Sequence, residues 1–153
     1  MTVERFEVAR LIDADPAAIF QIVSSPEGHV AIDASGMLQS SSGTAATAVG
    51  DSFVIHMDRE ALNDYPMGKY DVTVSFTTFE QDREVAWTIL GQLEIGHIYG
   101  YRLEPVEGGT LVTSYYDWST ISDDWKAANI FPVISELALR STLGILARTV
   151  ESH

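Results

Sequence analysis

Between Asp51 and Ser119 apolar and polar residues alternate with the period of two that a half-buried strand requires. Residues 52–59 set Phe53, Ile55 and Met57 on one face against Val54, His56 and Asp58 on the other. The longest run, 69–79, opposes Tyr70, Val72, Val74 and Phe76 to Asp71, Thr73, Ser75 and Thr77. Further strands are predicted at 84–90, 97–105 and 110–119, the last two joined by a tight turn at Gly108-Gly109. Ahead of them, 5–12 and 37–42 read as two more. The connections between consecutive strands are short, which predicts an antiparallel meander.

Towards the end of the chain the period changes. Ile130, Ile134, Leu137, Ala138, Ile145 and Leu146 recur at spacings of three and four, the signature of an amphipathic helix. It is predicted from near Phe131 to Val150, with Pro132 in the first turn, where its missing N–H matters least. Gly144 costs such a helix about 1 kcal/mol relative to Ala, which points to close packing there. Two shorter helices, 16–23 and 26–32, begin at Asp15-Pro16 and Ser25-Pro26, each an N-cap residue followed by a proline. The stretches 40–50, 60–68 and 91–96 read as turns and loops.

Composition adds limits. A chain of 153 residues suits one domain with its own core. The net charge of −13 and the scattered basic residues argue against nucleic acid and anionic membrane surfaces as partners. The absence of cysteine excludes disulfides, thiolate metal sites and a cysteine nucleophile. The N-terminus lacks a signal-peptide layout, and no apolar run reaches the ~20 residues that span a bilayer. A cytoplasmic protein with no membrane insertion, monomer or homodimer, is the expectation.

Several strand faces carry large aromatics that end in polar atoms: Trp87 between Val85 and Ile89, Tyr99 and Tyr101 with His97, Tyr116 with Trp118. A face meant only for packing is built more often of Leu, Ile and Val, whereas Tyr and Trp suit places where one end is apolar and the other finds a partner. Two readings stay open. Either the aromatics line a cavity between sheet and helix, or they fill a well-packed α+β core.

The order strand, two short helices, six-stranded meander and long C-terminal helix resembles the helix-grip fold of the START/Bet v 1-like superfamily. Within it the sequence is similar to the polyketide cyclase/dehydrase and lipid-transport (SRPBCC) family. FEVARLIDADPAAIF at 6–20, MGKYDVTVSFTTFE at 67–80, GHIYGYRLEPVEGGTLVTSYYDWS at 96–119 and FPVISELALRSTLGILA at 131–147 carry the resemblance. It implies an α+β domain over 1–153, a curved antiparallel sheet gripping the last helix, and a cavity for a small hydrophobic ligand. Phe53, Ile55, Met57, Tyr70 and Val72 are then candidates to line it, with Trp87, His97, Tyr99, Tyr101, Tyr116 and Trp118 from the later strands. Ile134, Leu137, Ala138 and Ser141 are expected as the helical wall, the small Ala138 and Ser141 leaving space.

Candidate chemistry is sparse. His97 follows Gly96 and is read as lying in solvent at the rim. Turned inward, it could serve as acid or base on an enolisable carbonyl, with Tyr99 or another Tyr stabilising the oxyanion. His56 and Asp58 share the outward face of their strand. Asp117 is expected outside or bound to a backbone N–H; inward, it would be a catalytic carboxyl of raised pKa. Arg10 lies in phase with Phe6, Val8 and Ile12, and strand twist or a bulge is expected to put it at the edge. No phosphate-binding loop, zinc motif, nucleophile elbow or dinucleotide fingerprint is present, so no cofactor or metal is expected and serine acyl transfer lacks a motif. Three roles remain: binding of a polyketide- or lipid-like ligand, a cyclase or dehydratase, and a protein-interaction module.

Overall fold

The computed structural model describes residues 3–60, 66–91 and 94–151; His153 and parts of the predicted 60–68 and 91–96 loops lie outside them. Seven strands form a single antiparallel sheet: β1 (Arg5–Ile12), β2 (Leu38–Ser42), β3 (Ser52–Asp58), β4 (Lys69–Glu80), β5 (Glu84–Leu90), β6 (Ile98–Val106) and β7 (Gly109–Asp117). Their order is β1-β7-β6-β5-β4-β3-β2, so the meander runs from β2 to β7 and the first strand closes onto the last. Between β1 and β2 lie α1 (Pro16–Val23) and α2 (Pro26–Ile32); after β7 come α3 (Asp123–Ala127) and α4 (Glu136–Val150). This is the expected α+β architecture.

The short helices begin where the prolines predicted, by different means. Ser25 accepts the Gly28 N–H at 3.0 Å and so caps α2, whereas Asp15 supplies only extended backbone and makes no side-chain cap bond. Gly28 is required by contact. A Cβ there would sit 1.9 Å from the Ile22 carbonyl oxygen, and this closeness lets α2 fold back on α1. The two helices bury Ile19, Phe20, Val23 and Ile32 over one end of the sheet.

In β4 the alternation slips. The register shifts between Phe76 and Thr78, so Phe76 and Phe79 both turn inward, and Phe79 meets Phe20 edge-on at 5.2 Å.

The last helix corrects the sequence reading. It starts at Glu136, not near Phe131, because the Ser135 hydroxyl caps the Ala138 N–H at 3.1 Å and the chain before it is irregular, with a cis bond at Phe131-Pro132. The inward stripe is Leu139, Leu143, Leu146 and Ala147, all at most 5% exposed and packed mainly on β1, β7 and α2. Leu137 is 71% exposed and Ser141 also faces solvent, so neither forms an inner wall. Of that expected wall, Ile134 and Ala138 are half-buried. Arg10 is exposed, as expected, and its guanidinium reaches across to Gly144, where an added Cβ would stand 3.5 Å from Nη1. α3 went unpredicted, although Ser122 caps it through the Trp125 N–H and two aspartates follow in its first turn.

Candidate functional site

Strand register assembles a row of aromatic rings that no single strand displays. Phe6 pairs with Tyr116, Tyr116 with Tyr99, Tyr99 with Trp87 and Trp87 with Phe76, one ring from each of five neighbouring strands. All lie on the inner face. Tyr99 stacks on Tyr116 at 4.5 Å and on Trp87 at 6.0 Å, and Trp87 reaches Phe76 at 6.0 Å. Trp118 extends the row against Phe6 at 5.0 Å, and Phe53 extends it from Phe76 at 5.6 Å. Such cross-strand pairs each contribute a few tenths to about 1 kcal/mol beyond burial.

Burial changes from one end of this face to the other. Beneath the short helices, Ile12, Val85, Leu103 and Val112 are at most 3% exposed. At the opposite end Met57 pairs with Tyr70, Ile55 with Val72 and Val74 with Ile89; of these Met57, Tyr70, Val72 and Ile89 are only half-buried. Tyr99 and, from the segment before α4, Phe131 and Val133 share that partial exposure. The inner face is therefore sealed at one end and accessible at the other.

A chain of polar atoms runs through the accessible end. His97 Nδ1 and the Tyr116 hydroxyl share a hydrogen bond of 2.7 Å. The same hydroxyl receives the Val133 N–H and couples to the Tyr99 hydroxyl. His97 is 3% exposed, with Phe131 edge-on at 5.8 Å, so the expectation of a solvated histidine at the rim is overturned. The irregular segment after β7, carrying Phe131 and Val133, lies over it. Burial pushes the His97 imidazole down to about 4 from 6.5, leaving it neutral at pH 7. Burial also raises the phenols of Tyr99, Tyr101 and Tyr116 well above their ordinary range, so all three remain hydroxyls that can donate.

His29, on α2, is a site residue that the sequence reading missed. Its ring stands 4.5 Å from Trp87 and 5.1 Å from Phe53, and Nε2–H donates to the Val23 carbonyl at 2.6 Å. Burial lowers this imidazole too, to about 4, against the opposing pull of the Val23 bond. Phe6, Phe76 and Phe131 were missed as well; for Phe6 and Phe76 the alternation was legible but the pairing that aligns them was not. Tyr101 sits one row deeper, beside Trp87 at 5.8 Å, with its hydroxyl bonded to Ser114.

The outward residues fall as expected. Asp117 accepts from the Ser119 N–H at 2.8 Å and from Arg5 at 3.0 Å. Partial burial would raise its pKa, but the Ser119 donors and Arg5 outweigh that and hold it low. His56 is outward, yet its partners are Asp71 and Ser42, not Asp58. Two surface recesses, neither lined by the aromatic row, lie elsewhere. One of about 300 Å³ separates α1 from the β4–β5 turn at Phe20 and Phe79; one of about 480 Å³ lies on the outer face around Arg83, Glu84 and Arg102. Among the described residues no cluster of three His, Asp or Glu suits a metal, and no helix is long and apolar enough to cross a membrane.

Comparison with solved structures bears on this geometry. Protein CV1439 from Chromobacterium violaceum superposes with a TM-score of 0.72 at 15% identity, over 99% of this chain and 100% of its own. The Aha1 dimer from Colwellia psychrerythraea gives 0.62 at 20% identity, over 99% and 97%. These likenesses show a shared helix-grip fold, a curved antiparallel sheet with a C-terminal helix seated on it. DynU16, a protein in the dynemicin biosynthetic locus, shares this helix-grip arrangement at a TM-score of 0.60 and 16% identity, over 96% of this chain and 47% of that one. Searches with family models and against characterised proteins give no match to the sequence. At these identities the helix-grip likeness carries architecture alone, and function has to be argued from the site.

Proposed function

We propose that the protein binds a small apolar or aromatic molecule, polyketide- or lipid-like, at the accessible end of the inner face. The observation that carries this reading is the burial gradient: the inner face is sealed beneath α1 and α2, while Met57, Tyr70, Val72, Ile89 and Tyr99 keep partial exposure. Half-exposed apolar groups around an aromatic floor are where a guest gains most from leaving water. The hydroxyl of Tyr99 offers one directional contact within that setting. DynU16, from a biosynthetic locus, is a structural neighbour that fits such a guest. The guest sits beyond the N-terminal end of α4, since the helix itself is closely seated on β1 and β7.

Saturable binding of an environment-sensitive apolar dye, displaced by flat apolar compounds, is the expected result. Val72→Trp fills the mouth and abolishes it, whereas Leu137→Ala, on the outer side of α4, leaves it intact. Dye binding that never saturates, or that survives Val72→Trp, would sink the proposal.

A second reading, a cyclase or dehydratase, draws on the His97–Tyr116–Tyr99 chain. A neutral imidazole accepts a proton from an enolisable carbonyl while Tyr99 donates to its oxygen. Its test is turnover of a poly-β-ketone mimic, lost in His97→Gln and unaffected by Leu137→Ala. Turnover unchanged in His97→Gln removes the histidine from any chemistry.

A further inference from the structure

On the outer face of the sheet, and with no hydrolase motif in the sequence, three strands bring a serine, a histidine and a carboxylate into line. Ser42 Oγ stands 2.9 Å from His56 Nε2, and His56 Nδ1 stands 2.7 Å from Asp71 Oδ1. Ser42 ends β2, His56 lies in β3 and Asp71 in β4. Register explains the alignment. Ser40, His56 and Asp71 form one cross-strand row, and Ser42, Val54, Thr73 and Leu90 form the next on the same face. Asp71 therefore faces His56 directly, while Ser42 reaches it diagonally. The carboxylate only accepts, so the contact places the ring proton on Nδ1; the neutral ring then presents the Nε2 lone pair to the Ser42 hydroxyl.

We infer that Ser42, His56 and Asp71 form a nucleophilic site that accepts an acyl group from activated esters. A triad is recognised by its geometry and roles rather than by sequence position, and here each contact has the required sense. The Ser42 oxygen forms a bond to the ester carbonyl carbon as its proton passes to His56 Nε2, and Asp71 stabilises the resulting imidazolium. The bond to the aryl oxygen breaks, and the aryloxide leaves as a phenol with the proton from His56. Water, deprotonated by the same nitrogen, then releases the carboxylic acid and restores the serine. Val54, Thr73 and Leu90, all half-buried beside Ser42, offer a shallow platform for an aryl or short acyl group. The site is open, with His56 and Asp71 side chains 37% and 66% exposed. Among the described residues the site lies open at the surface, and that openness sets the substrate class: esters with good leaving groups, which need little help from an oxyanion hole.

The test uses the intact chain. Incubation with p-nitrophenyl acetate and early-time peptide mass mapping is expected to find the acetyl group on Ser42. In His56→Gln and Asp71→Asn the rate of that modification falls by about tenfold or more, since general-base assistance typically supplies about a hundredfold to ten-thousandfold. A second arm exploits the absence of cysteine. Ser42→Cys gives the chain a lone thiol, and its alkylation by iodoacetamide at pH 7 is expected to be about tenfold faster than in Ser42→Cys/His56→Gln, because the neighbouring imidazole favours the thiolate. No acetyl on Ser42, or equal rates with and without His56 in both arms, overturns the inference.

Discussion

Lowering the pH from 7.5 to 5 is expected to remove several kcal/mol of stability through two buried histidines. His29 is 7% exposed and His97 3%, and each is held near pKa 4 against an ordinary 6.5. The sign follows from the depressed folded-state value. Above 6.5 both states are neutral and the rings cost nothing. Below 6.5 the unfolded chain takes up protons that the fold resists, and the loss is complete only below about 4. At pH 5 the unfolded imidazole is nearly fully protonated while the folded one is about one-tenth so, which makes the penalty about 2 kcal/mol per ring and about 4 kcal/mol for the pair. Urea unfolding followed by fluorescence at pH 7.5, 6 and 5 measures it. Glu7, Asp51 and Asp117, whose pKa values are lowered, give up their own stabilisation mainly below pH 5, as the unfolded carboxylates begin to take up protons. The variants His29→Gln and His97→Gln isolate each term: each should start less stable at pH 7.5 but lose about 2 kcal/mol less on acidification. A wild-type midpoint that stays flat to pH 5, or variants that keep the full slope, would refute the reasoning.

Three further outcomes concern packing. Gly28→Ala drives a methyl into the Ile22 carbonyl oxygen and is expected to lower stability by about 3 kcal/mol or more, read as a drop in thermal midpoint. Leu143→Ala, on the seated stripe of α4, should cost about 2–5 kcal/mol in denaturant unfolding, whereas Leu137→Ala should cost under about 0.5 kcal/mol. Tyr116→Phe removes the hydroxyl that serves His97 and Val133, and leaving buried partners unpaired should cost about 1–3 kcal/mol. It also removes the link to Tyr99, so the two-state unfolding midpoint checks the whole polar chain at once.

Most of the fold was legible because strand alternation and proline-marked helix starts are local signals. Phe53, Ile55 and Met57 turned inward as their period required, and β1, α1, α2 and β5 kept their expected bounds. The errors arose where two local patterns competed. In the last helix Leu137 belongs to a stripe continued backwards through Ile134 and Ile130, but the Ser135 cap starts the helix after both. The stripe that Leu139, Leu143 and Leu146 define is then the one that faces the sheet. His97 looked like a rim residue because it precedes β6; nothing local to it foretold that Phe131 and Val133 would fold over that end. The site was legible as a set of aromatic faces, whereas its order was not. Which ring meets which depends on register across strands separated by up to a hundred-odd positions, and the Ser42–His56–Asp71 alignment depends on the same register.

The closing of β1 onto β7 has a bearing on how the chain assembles. Phe6 is matched to Tyr116, and Ile12 to Thr110, so the first strand has no hydrogen-bonded neighbour until nearly three-quarters of the polypeptide exists. During synthesis the meander can grow hairpin by hairpin from β2 onwards, while β1 and its two helices wait, tethered but undocked. Contacts this distant in the chain are entropically slow to form. Docking of the opening strand is therefore expected late in folding, and it completes the floor on which α4 comes to rest.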